Sequence, residues 1–128
     1  MFEPVSAYSG FSVDDVPAAA EFWGEVLGLA VTPLMDGTML QVELPGSAAR
    51  VLVYGKDDHR PAGFTVLNLV VDDLDVALAG LAERGLRPDP GGPWAGEDRV
   101  VRGRASGHGP DIAWFHDPAG NVFSVQQQ

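Results

Sequence analysis

Trp114-Phe115-His116-Asp117-Pro118-Ala119-Gly120-Asn121-Val122-Phe123-Ser124-Val125, near the C-terminal end of a 128-residue chain, sets the reading of the whole sequence. An aromatic strand runs into a tight reversal over Asp117–Asn121, and a second apolar strand follows. Pro118 presets φ near the value a turn needs, and Gly120 and Asn121 tolerate the left-handed conformations that close it. The stretch reads as a β-hairpin.

Working back from the hairpin, the chain repeats itself. Phe11-Ser12-Val13-Asp14-Asp15-Val16 returns as Leu69-Val70-Val71-Asp72-Asp73-Leu74, and Gly28-Leu29 returns as Gly85-Leu86. Two copies are too few for a solenoid, so the repeat describes duplicated half-domains. Each copy reads as strand, helix, then further strands. The opening strands are expected over 5–13 and 64–71. Asp14 or Asp15, and Asp72 or Asp73, are N-cap candidates, and Pro17 at the first turn of a helix sacrifices no hydrogen bond. The first helix is expected over 16–27, burying Ala19, Phe22, Trp23 and Val26. The second is expected over 74–84, burying Leu74, Ala77, Leu78 and Leu81. Gly28 and Gly85 are the residues that end them.

Strand-like runs follow at 29–34, 39–44 and 50–54, with Asp36-Gly37 as a hairpin signal. In the second half they fall at 86–88, 112–115 and 121–126. Residues 56–63 form a polar linker, and 89–110 read as a long, partly ordered loop rich in glycine and proline. The expectation is a single α+β domain over 1–128. It has two βαβββ modules, about 1–55 and 64–128, forming a cup-shaped curved sheet with helices on its outer face.

Composition narrows function. The chain has no cysteine, which excludes disulfides and thiolate metal sites. Its 18 acids against 8 bases give a formal net charge of −10, which opposes a nucleic-acid partner. No secretory signal is visible, and no apolar run approaches the ~18–20 residues that span a bilayer, so a cytoplasmic location is expected.

The duplicated layout, with Phe22-Trp23, Leu27-Gly28-Leu29, Val71-Asp72-Asp73-Leu74-Asp75 and the turn Asp117–Asn121, resembles the vicinal oxygen chelate superfamily. That superfamily includes glyoxalase I, extradiol dioxygenases and bleomycin-resistance proteins. The resemblance implies a cup lined, in metal-using members, by His and Glu on facing strands. It carries those ligand positions onto Tyr8, Val66 and Ser124. Valine has no lone pair and neutral hydroxyls are weak donors, so no metal and no cofactor are expected. His59, His108 and His116 show no metal-binding spacing. No Gly-x-Ser-x-Gly elbow appears, and Gly91–Gly96 precedes no apolar helix, so no catalytic residue is assigned.

Strand alternation then places a mixed wall beside the vacated positions. The ligand-binding candidates are Tyr8, Gly10, Val66, Asn68, Trp94, Trp114, His116, Ser124 and Gln126, with Trp94 as a lid. The expected protein is a metal-free, small-molecule-binding homodimer of the bleomycin-resistance type. Its ligand would be largely apolar or aromatic, with cations favoured by the net charge. Two alternatives stay open: a metal-dependent lyase, isomerase or dioxygenase with non-standard ligands, and a structural or regulatory partner with no small ligand.

Overall fold

A computed structural model describes residues 1–128. The chain divides into two compact units, Met1–Pro61 and Ala62–Gln128, each a βαβββ module of the α+β class.

In the first module, β1 (Ser9–Val13) leads into α1 (Val16–Ala20), a π-helical stretch (Glu21–Val26), β2 (Val31–Leu34), β3 (Met39–Glu43) and β4 (Arg50–Gly55). The sheet order is β1-β4-β3-β2, with β1 parallel to β4 and the other pairs antiparallel. Asp15 caps α1, its Oδ1 accepting the Ala18 N–H at 3.0 Å. The expected single α-helix changes to π hydrogen bonding at Glu21. The reason lies in Phe22 and Trp23, adjacent residues that are both buried, at 7% and 0% exposure. A wider turn brings neighbouring side chains closer to one side of the helix, and here it seats both rings in the core. Trp23 meets Phe22 edge-on at 5.3 Å and Phe11 at 5.8 Å. Val13, Leu40, Val42, Val51 and Val53 complete the layer beneath. The opening strand is shorter than expected, because β4 supplies partners only from Ser9↔Val51 onward.

In the second module, β5 (Thr65–Val70) leads into α2 (Leu74–Glu83), β6 (Val101–Arg102), α3 (Gly103–Ser106), β7 (Asp111–His116) and β8 (Val122–Gln127). The order is β5-β8-β7-β6, with β5 parallel to β8. Asp73 caps α2 through Oδ1 and the Val76 N–H, 3.1 Å. Both helices run out at glycines with left-handed φ, +74° at Gly28 and +82° at Gly85, a conformation that disfavours any side chain. Ala113, Phe115, Phe123 and Val125 form the covered face of the sheet, with Phe115 and Phe123 stacked at 5.5 Å. Of the expected buried face of α2, only Leu74 is fully enclosed, while Ala77, Leu78 and Leu81 are half-buried.

Residues 86–88 do not form the expected strand. Pro88 and Pro90 cannot donate to a ladder. The flank of β7 is met instead by the Asp89 N–H, which donates to the Trp114 carbonyl at 2.7 Å, and by β6. Two-residue β6 lies inside what the sequence presents as loop. The hairpin turn forms at the expected residues, with Gly120 alone left-handed at φ +83° and not Asn121, and it is more heavily bonded than its sequence announces. Asp117 accepts the Asn121 N–H at 2.7 Å, and the Asn121 side-chain oxygen accepts the Ala62 N–H at 3.0 Å. No helix is long and apolar enough to cross a membrane.

Candidate functional site

Strand alternation leaves each sheet with one face packed under its helix and one open. In the second module the open face carries Asn68 and Val70 on β5, Val122, Ser124 and Gln126 on β8, and Ile112, Trp114 and His116 on β7. The register joins them in rows, Asn68↔Ser124↔Trp114 and Val70↔Gln126↔Ile112.

At the centre is a neutral hydrogen-bonded trio. The Ser124 hydroxyl donates to Asn68 Oδ1 at 2.6 Å, and the Gln126 amide donates to the same oxygen at 3.3 Å. Ser124 is fully buried, whereas Asn68 is exposed and Gln126 half-buried. Ser124 therefore fixes Asn68 and does not itself face outward. With its oxygen held from below, Asn68 presents an amide N–H2 that has no partner in the chain.

Trp114 stands beside this trio, its indole N–H donating to the Thr65 hydroxyl at 3.2 Å. That bond satisfies its one donor and leaves the ring as an apolar wall. Thr65 is absent from the sequence reading for a definable reason. The β5–β8 register slips between Thr65 and Leu67, making Val66 the extra residue, so Thr65 pairs with Val122 and shares the face of Trp114. Alternation from Asn68 alone assigns that place to Val66, and a bulge has no signature in this stretch.

His116 is exposed and tied through Nδ1 to Asp89 Oδ1 at 2.9 Å. His59 belongs to the first module, its Nδ1 lying 2.7 Å from the Ser12 hydroxyl. Tyr8 and Gly10 are also on the first module. Tyr8 is 60% exposed, with the Arg50 guanidinium 5.8 Å from its ring centroid.

Trp94 lies apart from the trio. It lines a groove of about 770 Å³ along β6, with Val100, Val101, Gly103, Ser106 and His108 among its walls; neither Trp114 nor any member of the trio lines it. Arg102, which also lines the groove, bridges Asp75 at 2.8 Å and Asp98 at 2.9 Å. The Val100 N–H, and then the Arg102 guanidinium, hold the Asp98 carboxyl below its ordinary pKa, and the two carboxylates raise that of Arg102.

The donor set does not suit a divalent metal. Val66 offers no lone pair, the Ser124 hydroxyl is committed to Asn68, and the Tyr8 ring is set against the Arg50 guanidinium. No group of three or more His, Asp or Glu side chains converges in the chain.

With fold and site described, comparison with known proteins defines the class. Residues 7–125 match the model of the Glyoxalase/Bleomycin resistance protein/Dioxygenase superfamily, and the chain belongs to that superfamily. Among solved structures it resembles TnmS3, an antibiotic binding protein from Streptomyces sp. CB03234, at 28% identity and TM-score 0.65, covering 98% of each chain. A glyoxalase/bleomycin resistance protein from the same organism matches at 28% identity and TM-score 0.60, covering 94% of this chain and 100% of that one. Lactoylglutathione lyase from Agrobacterium tumefaciens, at 17% identity and TM-score 0.69, covers 97% of this chain and 94% of its own and shares the fold. No curated protein sequence matches the chain.

Proposed function

We propose that this chain is a small-molecule-binding protein of the glyoxalase/bleomycin-resistance type, working without a metal. Its ligand, largely apolar or aromatic, rests on the open face of the second module against Trp114 and is oriented by Asn68 and Gln126. The observation that carries this reading is internal to the molecule. The two modules share one topology and one parallel pairing, so Gly10↔Leu52 and Ser12↔Tyr54 of the first answer to Asn68↔Ser124 and Val70↔Gln126 of the second. The first sheet forms with glycine, leucine and tyrosine where the second has asparagine, serine and glutamine. The fold therefore does not require the trio. A polar cluster that is dispensable for folding and holds an outward-facing amide beside an indole is suited to orienting a ligand that the indole binds. The antibiotic-binding activity named for TnmS3 supports the same class of function.

The test is to give the second module the first module's residues, Asn68→Gly, Ser124→Leu and Gln126→Tyr together. A thermal-shift screen of neutral and cationic aromatic compounds supplies hits on the wild type, repeated in EDTA. The transplanted protein should fold and lose the hits, and EDTA should leave them unchanged. If every hit survives the transplant the site is refuted, and hits abolished by EDTA refute metal-free binding. The proposal includes a homodimer, since Phe64 and Val76 are 70% and 69% exposed. A monomer mass by light scattering at micromolar concentration refutes that part.

A further inference from the structure

We infer that the groove beneath Trp94 is a second binding site, distinct from the trio on the open face, and that it takes a flat, uncharged aromatic molecule with a hydrogen-bonding group at its edge.

The indole of Trp94 is 83% exposed and makes no hydrogen bond within the chain. Such exposure is unremarkable on a loose loop, but this loop is built. The Ala95 N–H donates to the Gly92 carbonyl at 3.2 Å and the Gly96 N–H to the Val100 carbonyl at 3.1 Å. Arg99 Nη1 donates to the Pro88 carbonyl at 2.9 Å, and Arg102 clamps Asp98 of the loop to Asp75 of α2. At Gly91 the loop folds so closely on itself that a Cβ would sit 2.7 Å from the Ala95 Cβ and 2.9 Å from the Arg99 carbonyl oxygen. An ordered turn thus displays a large apolar ring over a groove, at a clear cost in exposed apolar surface.

The volume, about 770 Å³, is that of a small-molecule cleft. Val100, Val101 and Gly103 give it apolar walls, and the indole gives it a face for stacking. The polar groups are few. The Ser106 hydroxyl donates to the Gly103 carbonyl, leaving it free to accept, and the His108 ring has no hydrogen-bond partner in the chain. Charge selects against anions: the Arg102 guanidinium in the groove wall is already matched by Asp75 and Asp98, and Glu97 adds a further carboxylate on the loop. Val101 pairs with Ile112, which pairs with Gln126, so one wall of the groove shares a row of the open face with the trio, and independence of the two sites is the point to test.

The probes are acridone, flat and neutral with a carbonyl edge, and its carboxylate derivative. The readout is the indole N–H resonance of Trp94 in a nitrogen–proton correlation spectrum, assigned with Trp94→Phe. Acridone should shift that resonance, and Trp94→Ala, a change on an exposed loop, should weaken acridone binding about tenfold. Asn68→Ala should leave the acridone titration of the Trp94 resonance unchanged, and the carboxylate should shift that resonance more weakly than acridone. The inference is overturned if acridone leaves the Trp94 resonance unmoved or the carboxylate binds equally well. It is also overturned if Asn68→Ala and Trp94→Ala weaken acridone alike, which would mean one continuous site. Failure of the trio as a ligand site, by contrast, appears only in the transplant experiment.

Discussion

Replacing Asn121 by alanine removes a side chain that is 1% exposed and joins three parts of the second module. Its Oδ1 accepts the Ala62 N–H at 3.0 Å, fixing the segment that enters β5, and its Nδ2 donates to Asp117 Oδ2 at 3.3 Å across the β7–β8 turn. Each bond is worth about 1 kcal/mol net, and desolvation of the buried side chain that the lost bonds no longer offset adds about 1 kcal/mol more. The expected loss is therefore about 3 kcal/mol. For a chain of this size, roughly 4 °C of melting temperature accompanies each kcal/mol, so the midpoint should fall by about 12 °C. Asn121→Asp keeps an acceptor for Ala62 but removes the donor and sets a second carboxyl against Asp117, so it should be no less damaging. Thermal melts followed by circular dichroism, with urea titrations for the free energies, measure both. A loss below about 1 kcal/mol for Asn121→Ala would show that the turn is held by its backbone geometry and that the side-chain bonds are incidental.

Trp23→Ala, at a site with no exposure and two ring partners, should cost about 3–5 kcal/mol in urea titrations, and a cost under 1 kcal/mol would contradict the packing described. Asp15→Ala and Asp73→Ala should each cost about 1 kcal/mol and add in the double variant, because the caps share no partner; Asn at either position should restore most of the loss. Asp98 titrates below its ordinary 3.8 in the folded chain, so its contribution is complete above 3.8 and is lost as pH falls through the folded value. Asp98→Asn should flatten that part of the acid dependence of the urea midpoint by a small amount, since the pair is solvent-exposed. An unchanged acid slope would remove Asp98 from the account.

What the sequence disclosed is what local chemistry decides. Capping by Asp15 and Asp73, helix termination at Gly28 and Gly85, and the reversal at Asp117–Asn121 each depend on a few adjacent residues, and each sits in the structure where it was read. The features that escaped depend on distant partners. The π-helical turn follows from burying Phe22 and Trp23 against Phe11. Two-residue β6 exists because β7 offers an edge at Asp111–Ile112, and no periodicity can appear in so short a strand. The site divides along the same line. Asn68, Ser124 and Gln126 were legible as one face by alternation, but the inward commitment of Ser124 and the exchange of Val66 for Thr65 required the register.

The internal duplication turns this protein into its own control, and its asymmetries separate what the fold requires from what it does not. A feature shared by both halves is accounted for by folding: the strand order, the parallel β1–β4 and β5–β8 pairs, the aspartate caps and the terminating glycines. A feature of one half alone is not required by that shared topology. In the first module only residues 27–30 separate the end of the π-helical stretch from β2, whereas residues 84–100 separate α2 from β6. That longer stretch holds Trp94, Asp98 and the turn glycines, and it costs backbone entropy that the fold shows it can avoid. The neutral trio is likewise confined to the second module. Both departures lie in the half where an apolar indole stands beside each. The proposed ligand binding draws on both departures, and the transplant of residues 68, 124 and 126 is the experiment that separates it from a purely structural role.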